Sequence, residues 1–472
     1  MKNFKRVLAC LLAGGMAVGA LAACNNNGSS GGSKSDSESQ APVVGQSSVD
    51  TSEVKSIYFL NFKPEISDKY KAIADKYKEE KGVEVKVVTA ASGEYEKTLS
   101  VEMEKNEPPT IFQINGPVGY ENWKDFCADL KATKLYDLVT DKSLAVTSGD
   151  GVYGVPYAVE GYGIIYNNAI MTKYFSTDGA KAASMDEINN FAKLKEVVED
   201  MTAKKADLGI EGVFGSTSLK SGDDWRWQTH LMNLPLYYEF KDGGDPITNC
   251  VNAAELNFTF ADNYKNIFDL YTNNSCTNKA DLGAKSVDDS MSEFALGKCA
   301  MVQNGNWAWG QISGVAGNTV KEEDIKFMPI YTGVSGEETQ GLCVGTENFF
   351  AINSKVDAAT QQASIDFLEW LFTSDYGKNA VINDLGFMAP FSSFGDDEKP
   401  SDPLAKEVLN WMAKDGYTSA KWTFAGIPSE GWKSNFGGDL LLYVQDQKSW
   451  DDVVTAAKDN WKTERELAKV AE

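Results

Sequence analysis

From Ser56 onward, short apolar runs and helical spacings take turns along the chain. Ser56 to Leu60 (SIYFL) reads as a strand, and Ile66, Tyr70, Ile73 and Tyr77 then recur at helical spacing before Gly82 supplies a stop. Val83 to Val88 alternates as a second strand. A polar helix from about Glu94 to Lys105 leads to Pro108-Pro109 and the apolar run Thr110-Ile111-Phe112. Strands and helices alternating over short links predict a mostly parallel sheet covered on both faces. Tyr153 to Tyr166 (YGVPYAVEGYGIIY) predicts two extended segments separated by glycines. Met185 to Lys205 predicts a helix with Phe191, Leu194, Val198 and Met201 on one face. Ala300 to Gln303, Ile325 to Ile330 and Phe349 to Asn353 are further extended pieces, the last followed by a helix carrying Ile365, Phe367, Leu368 and Leu371. The final 25 residues predict a charged helix with Val453, Val454, Ala457 and Trp461 inward. No internal repeat interrupts this order.

The pattern before Ser56 is different in kind. Lys2, Lys5 and Arg6 precede an apolar run from Val7 to about Ala22, and Leu21-Ala22-Ala23-Cys24 follows. A basic start, a short apolar core and small residues at a cut site describe a secretory signal, too short and glycine-rich to be kept as a spanning helix. A cysteine directly after the small residues is what acylation before cleavage requires, so Cys24 is expected to be the first mature residue and to carry lipid. From Asn25 to about Glu53 the chain is almost wholly small and polar with no aromatic residue, and is expected to be a flexible tether. No later stretch is long and apolar enough to span a bilayer.

Charge narrows the partners. The 472 residues carry net charge −23, and the stretch ahead of Cys24 is basic, so the remainder sits at −26. Nucleic acid would need a basic face, which argues against it as a partner. An acidic surface suits docking onto basic protein loops. Beyond Cys10 and Cys24 the cysteines are Cys127, Cys250, Cys276, Cys299 and Cys343, with no CxxC, so no metal site or cofactor is expected. Cys250 and Cys276 are the pair considered for a disulfide, with buried free thiols the favoured reading. The one histidine, His230, lies in a tryptophan-rich helical stretch and is assigned a structural role.

The distinctive chemistry is in the tryptophans. Trp225 and Trp227 sit in GDDWRWQ, Trp307 and Trp309 in NGNWAWGQ, and Trp432 in SEGWKSNFGG. Loops of this composition present an indole as a platform more readily than they bury it. A pyranose ring has an apolar face and a hydroxyl rim, so it needs flat aromatics beside Asp, Glu, Asn, Gln or Arg. Asp223 and Asp224 flank Trp225, and Asn304 and Asn306 flank Trp307. Side-chain alternation sends the second ring of each pair, Trp227 and Trp309, toward the core. For an enzyme, carboxylate pairs headed by Glu160 would be the candidates, whereas Walker, GxSxG, HExxH and EF-hand motifs are absent.

PPTIFQIN (Pro108 to Asn115), YGVPYAVEGYGIIYNN (Tyr153 to Asn168), FALGKCAMVQNGNWAWGQI (Phe294 to Ile312), FFAINSK (Phe349 to Lys355) and FLEWLFTSDYGKNAV (Phe367 to Val381) occur in that order. Together they resemble the carbohydrate-binding lipoproteins of bacterial ABC importers, the extracellular solute-binding group that includes maltose-binding protein, from about Val54 to Arg465. The resemblance implies an α/β, two-lobed periplasmic-binding-protein-like fold, each lobe a mixed or parallel sheet flanked by helices. The implied lobes are 54–159 plus about 345–386, and about 160–344 plus 387–472, with crossings at Val159-Glu160-Gly161, near Gly345 and near Gly386. It implies a monomer that binds an oligosaccharide and delivers it to membrane permease subunits. The implied ligand-binding residues are Asn61, Phe62 and Lys63 after the first strand, Gln113 and Asn115 after the third, Glu160 and Glu347 at the crossings, and Asp224, Trp225, Trp307 and Trp432 in the second lobe. The sequence departs from the family's proline-aspartate before the third strand, reading Pro109-Thr110. The rival readings are a secreted glycoside hydrolase, a binder of peptides, iron or polyamines, and a cell-wall-binding module.

Overall fold

The computed structural model describes residues 49–471 apart from 217 and 396. The signal segment, Cys24 and most of the proposed tether lie outside the described residues. The strands are β1 (Ser56–Asn61), β2 (Glu84–Thr89), β3 (Ile111–Ile114), β4 (Val146–Ser148), β5 (Gly151–Gly154), β6 (Glu160–Asn167), β7 (Met301–Gly305), β8 (Ile325–Met328), β9 (Gln340–Gly345), β10 (Phe349–Ile352) and β11 (Thr418–Lys421). They form one sheet ordered β10-β3-β1-β2, a second ordered β11-β9-β6-β7 with β8 also on β6, and an antiparallel pair β4-β5. β1 runs parallel to β2 and β3, while β10 returns antiparallel along β3.

Each sheet is covered on both faces, and alternation along its strands explains how. Ile57 and Phe59 of β1 enter one apolar cluster with Tyr70, Ile73 and Tyr77 of the helix Ser67–Lys81; Tyr58 and Leu60 enter another with Tyr95 and Leu99. In the second sheet Tyr162, Ile164 and Tyr166 of β6 face one core and Ile165 the other. The C-terminal helix Trp450–Ala471 buries Val453, Ala457 and Trp461, as its spacing predicts. The predicted helix from Met185 instead begins at Phe191, because the Asn190 side chain accepts from the Lys193 amide and caps it there.

The fold is two-lobed, one large sheet per lobe, and the chain passes between the lobes three times. β5 leads to β6 through 155–160, β9 leads to β10 through 346–348, and a third pass runs through Met388. These passes lie side by side: Val155 bridges Phe350, Val159 bridges Met388, and Glu160 pairs with Gly345. All five cysteines of the body are free, four of them buried. No helix among the described residues is long and apolar enough to cross a membrane, and they hold no metal-ligating cluster.

Candidate functional site

The parallel strands β1, β2 and β3 end on one edge of their sheet, so their following loops face the second lobe. After β1, the Asn61 amide donates to the Lys63 carbonyl at 2.7 Å and to Thr89 Oγ1 at 3.1 Å, while its Oδ1 accepts from the Lys63 amide. This local turn is the kind short amide side chains make. It aims Lys63 across the cleft, where Nζ lies 2.8 Å from Glu160 Oε1 and 3.4 Å from Glu65 Oε1. The ammonium also sits 5.4 Å from the Trp307 ring. Desolvation disfavours the Lys63 charge, but Glu160 and Glu65 more than offset it and its pKa rises.

Gln113 plays a framing part. Its Oε1 accepts from the Phe62 amide at 2.8 Å and its Nε2 donates to the Asn348 carbonyl at 3.2 Å, tying the β1 loop to the β9–β10 pass. Phe62 packs edge-on against Tyr95. Asn115 precedes the helix Gly116–Trp123, is part-exposed, and spends no side-chain bond on capping it.

The second lobe presents an aromatic wall. Trp225 and Trp307 are part-exposed with ring centroids 6.1 Å apart, and both border His230, at 4.9 and 5.6 Å. Behind them Trp422 meets Trp307 edge-on and Phe424 stacks on His230. Desolvation and the nearby Arg226 charge push His230 down to about 3, so it is a neutral ring in this wall. The Arg226 guanidinium lies 5.3 Å from the Trp225 ring and donates to Ser218 and Ser290. Trp227 is buried and Trp309 packs partly against the core, as expected of the second ring of each pair.

Two assignments change. Trp432 is fully buried: its indole N–H donates to the Ala457 carbonyl at 2.8 Å, and its ring stacks on Phe436 and meets Trp461 edge-on. Trp432, Phe436, Leu440 and Val444 form the core stripe of the helix Glu430–Val444. One residue on, a helix turns by about 100°. Lys433 therefore leaves that stripe and lies among Glu430, Glu347 and Glu96. The i, i+4 apolar spacing was the signal that could have placed Trp432 inside. Asp224 also turns inward. It accepts from the Gly222 amide at 3.2 Å and Gln228 Nε2 at 2.8 Å, packs against Gly437, and is pushed up to about 6 by desolvation. Its bonds shape the loop that carries Trp225.

Among the described residues, Glu347 has no hydrogen-bond or ion-pair partner. Desolvation pushes it up to about 7, with the Glu160 charge in the same direction and Lys433 and Lys63 against it. Below about pH 4.5 it is neutral both folded and unfolded. As pH rises toward 7 the unfolded chain releases its proton first, so this group's contribution to stability is lost across that window and stays lost above it. Glu347→Gln is therefore expected to flatten the fall in urea midpoint between pH 4.5 and 7.5 relative to the parent protein. Parallel pH profiles for the two would refute the assignment.

Residues 72–408 match the bacterial extracellular solute-binding protein family. The chain belongs to that family. No curated protein matches it by sequence. Among solved structures, this solute-binding protein resembles the solute-binding protein RafE in complex with raffinose, at 17% identity and TM-score 0.66 over 87% of this chain and 99% of that one. A chitin oligosaccharide binding protein is similar at 16% identity and TM-score 0.67, over 87% and 99%. Maltose-bound MalE3 of T. maritima is similar at 15% identity and TM-score 0.63, over 87% and 100%. At these identities the likeness establishes the shared two-lobed fold.

Proposed function

We propose that this protein captures a carbohydrate between its lobes and delivers it to the permease of an ABC importer, held at the outer face of the membrane by lipid on Cys24. The observation that carries the reading is the cleft itself. Part-exposed Trp225 and Trp307 offer flat faces, and Lys63, Glu160, Glu347 and Asn115 offer groups for hydroxyls. The lobe boundaries proposed are the three passes, near 159–160, 345 and 386, acting as a hinge. Sugar favours the closed arrangement because only there do both lobes touch it. The sugar-bound relatives named above support the ligand class. The basic loops of the permease would meet the acidic surface of the closed body.

A thermal-shift screen over α-glucan, xylan, mannan and galactoside oligosaccharides tests this, since a ligand that binds only the folded state raises the melting temperature. A flat response across all four classes would sink it. Trp307→Ala and Trp225→Ala are each expected to weaken binding of the active sugar by about 1 kcal/mol or more with the fold intact. Calorimetry giving unchanged affinity in both would remove the aromatic wall from the site.

A glycoside hydrolase is the second reading, favoured by one observation: Glu347, held up near 7, shares the cleft with Glu160. Against it, Glu160 is engaged by Lys63 at 2.8 Å. Appearance of new reducing ends on incubation with these glycans would reverse the order of the two readings.

A further inference from the structure

The loops of the first lobe meet the second lobe in a fixed order. Across the first sheet the strands run β2, β1, β3, so the loops that follow them line the cleft in the same order: Gly93, then Lys63, then Gly116. Each touches a different part of the facing lobe. Gly93 meets Gly222 backbone to backbone, and a methyl carbon on Gly93 would lie 2.5 Å from the Gly222 carbonyl oxygen and 2.9 Å from its Cα. Lys63 meets Glu160 and Trp307 in the middle. Gly116 meets Ala425, with 3.5 Å between a carbon placed on Gly116 and the Ala425 methyl. The second sheet runs β11-β9-β6-β7, so Ala425, beyond β11, and Trp307, beyond β7, belong to opposite edges of it. In the order of the first sheet, the two glycine contacts lie on either side of the Lys63–Glu160 contact.

We infer that the closed cleft is capped at both ends, so that this protein encloses a short oligosaccharide whole and excludes longer chains of the same sugar. The inference rests on the carbohydrate-binding reading and adds the ligand's length class to it. Gly93 and Gly222 are both left-handed, at φ 71° and 87°, and the Asp224 carboxylate holds the Gly222 amide. With no side chain on either residue, the two backbones come into direct contact. A chain projecting past this point would have to separate the two backbones. Holding the lobes apart there would also weaken the contacts of Lys63 with Glu160 and Trp307. Exclusion by clash is thus built into the same closure that binds the short ligand.

The test is a length ladder on the full protein by calorimetry, comparing the disaccharide, trisaccharide and hexasaccharide of whichever glycan class raises the melting temperature, together with its soluble polymer. The trisaccharide is expected to bind on the order of tenfold or more tightly than the hexasaccharide, with the polymer weaker still. Gly93→Ala at one end and Ala425→Leu at the other, each checked for folding by circular dichroism, should reduce that discrimination by weakening the short ligand most. Ala425→Leu needs no left-handed backbone, so it serves where Gly93→Ala folds poorly. Equal or tighter binding of the hexasaccharide to the parent protein would overturn the capped cleft while leaving sugar binding standing. Absence of binding at every length would overturn the carbohydrate reading and this inference with it.

Discussion

Replacing Glu160 with alanine is expected to lower ligand affinity by roughly a hundredfold, equivalent to about 3 kcal/mol, while moving the melting temperature little. Lys63 and Glu160 are both nearly buried, at 6% and 5% exposure, and bond at 2.8 Å across the two lobes. Removing one member of a buried pair leaves the other charge desolvated, which costs more than the pair itself contributes. Here the penalty has an escape, because opening the lobes returns the Lys63 ammonium to water. The cost therefore falls on closure and not on folding. Glu65, 3.4 Å away, retains part of the compensation, which holds the effect near the lower end of the range for such losses. Calorimetry with the active sugar and a thermal melt, run in parallel, check both halves. A large drop in melting temperature with unchanged affinity would show that the pair holds the fold and not the closed state. Replacing both Lys63 and Glu160 with methionine should recover part of the closure, since neither charge then remains unpaired.

Trp432→Ala is expected to destabilise the folded protein by about 3–5 kcal/mol, seen as a lowered urea midpoint. Its ring is in contact with Phe436 and Trp461, and the substitution leaves a large cavity and removes the indole bond to the Ala457 carbonyl. Binding by the fraction that remains folded should be unaffected. Trp307→Ala should behave in the opposite way, with stability held and affinity reduced. Observing the same pattern for both variants would contradict the separation of core and cleft tryptophans described here.

The periodicities carried much of the fold. The apolar run SIYFL and the spacing of Tyr70, Ile73 and Tyr77 place β1 and its helix almost residue for residue, because side-chain direction follows local backbone geometry. The same local logic put Trp227 in the core. Lys63, Glu160, Trp225 and Trp307, singled out from separate motifs, do come together in the structure. Trp432 is instead in the core, because its phase in the helix Glu430–Val444 decides its direction. Lys433, Trp422 and Tyr157 were passed over because each adjoins the cleft through residues distant in sequence: Lys433 through Glu347, Trp422 through Trp307, Tyr157 through Lys63.

Asn61 and Gln113 mark the boundary between the two kinds of information. Both were expected just after the first and third strands, but Asn61 is the last residue of β1 and Gln113 lies within β3. Only the folded arrangement makes them braces, since the Gln113 amide reaches Phe62 and Asn348, residues remote from it in sequence. The chain by itself determined its secondary structure, its acidic character and the presence of flat aromatics beside polar groups, all of which depend on neighbouring residues. Which polar groups are consumed by the fold, that Lys63 reaches Glu160, and that Gly93 meets Gly222 were decided by tertiary structure alone. Those outcomes depend on how two separately folded sheets face each other across three passes of chain, and no local pattern encodes that distance.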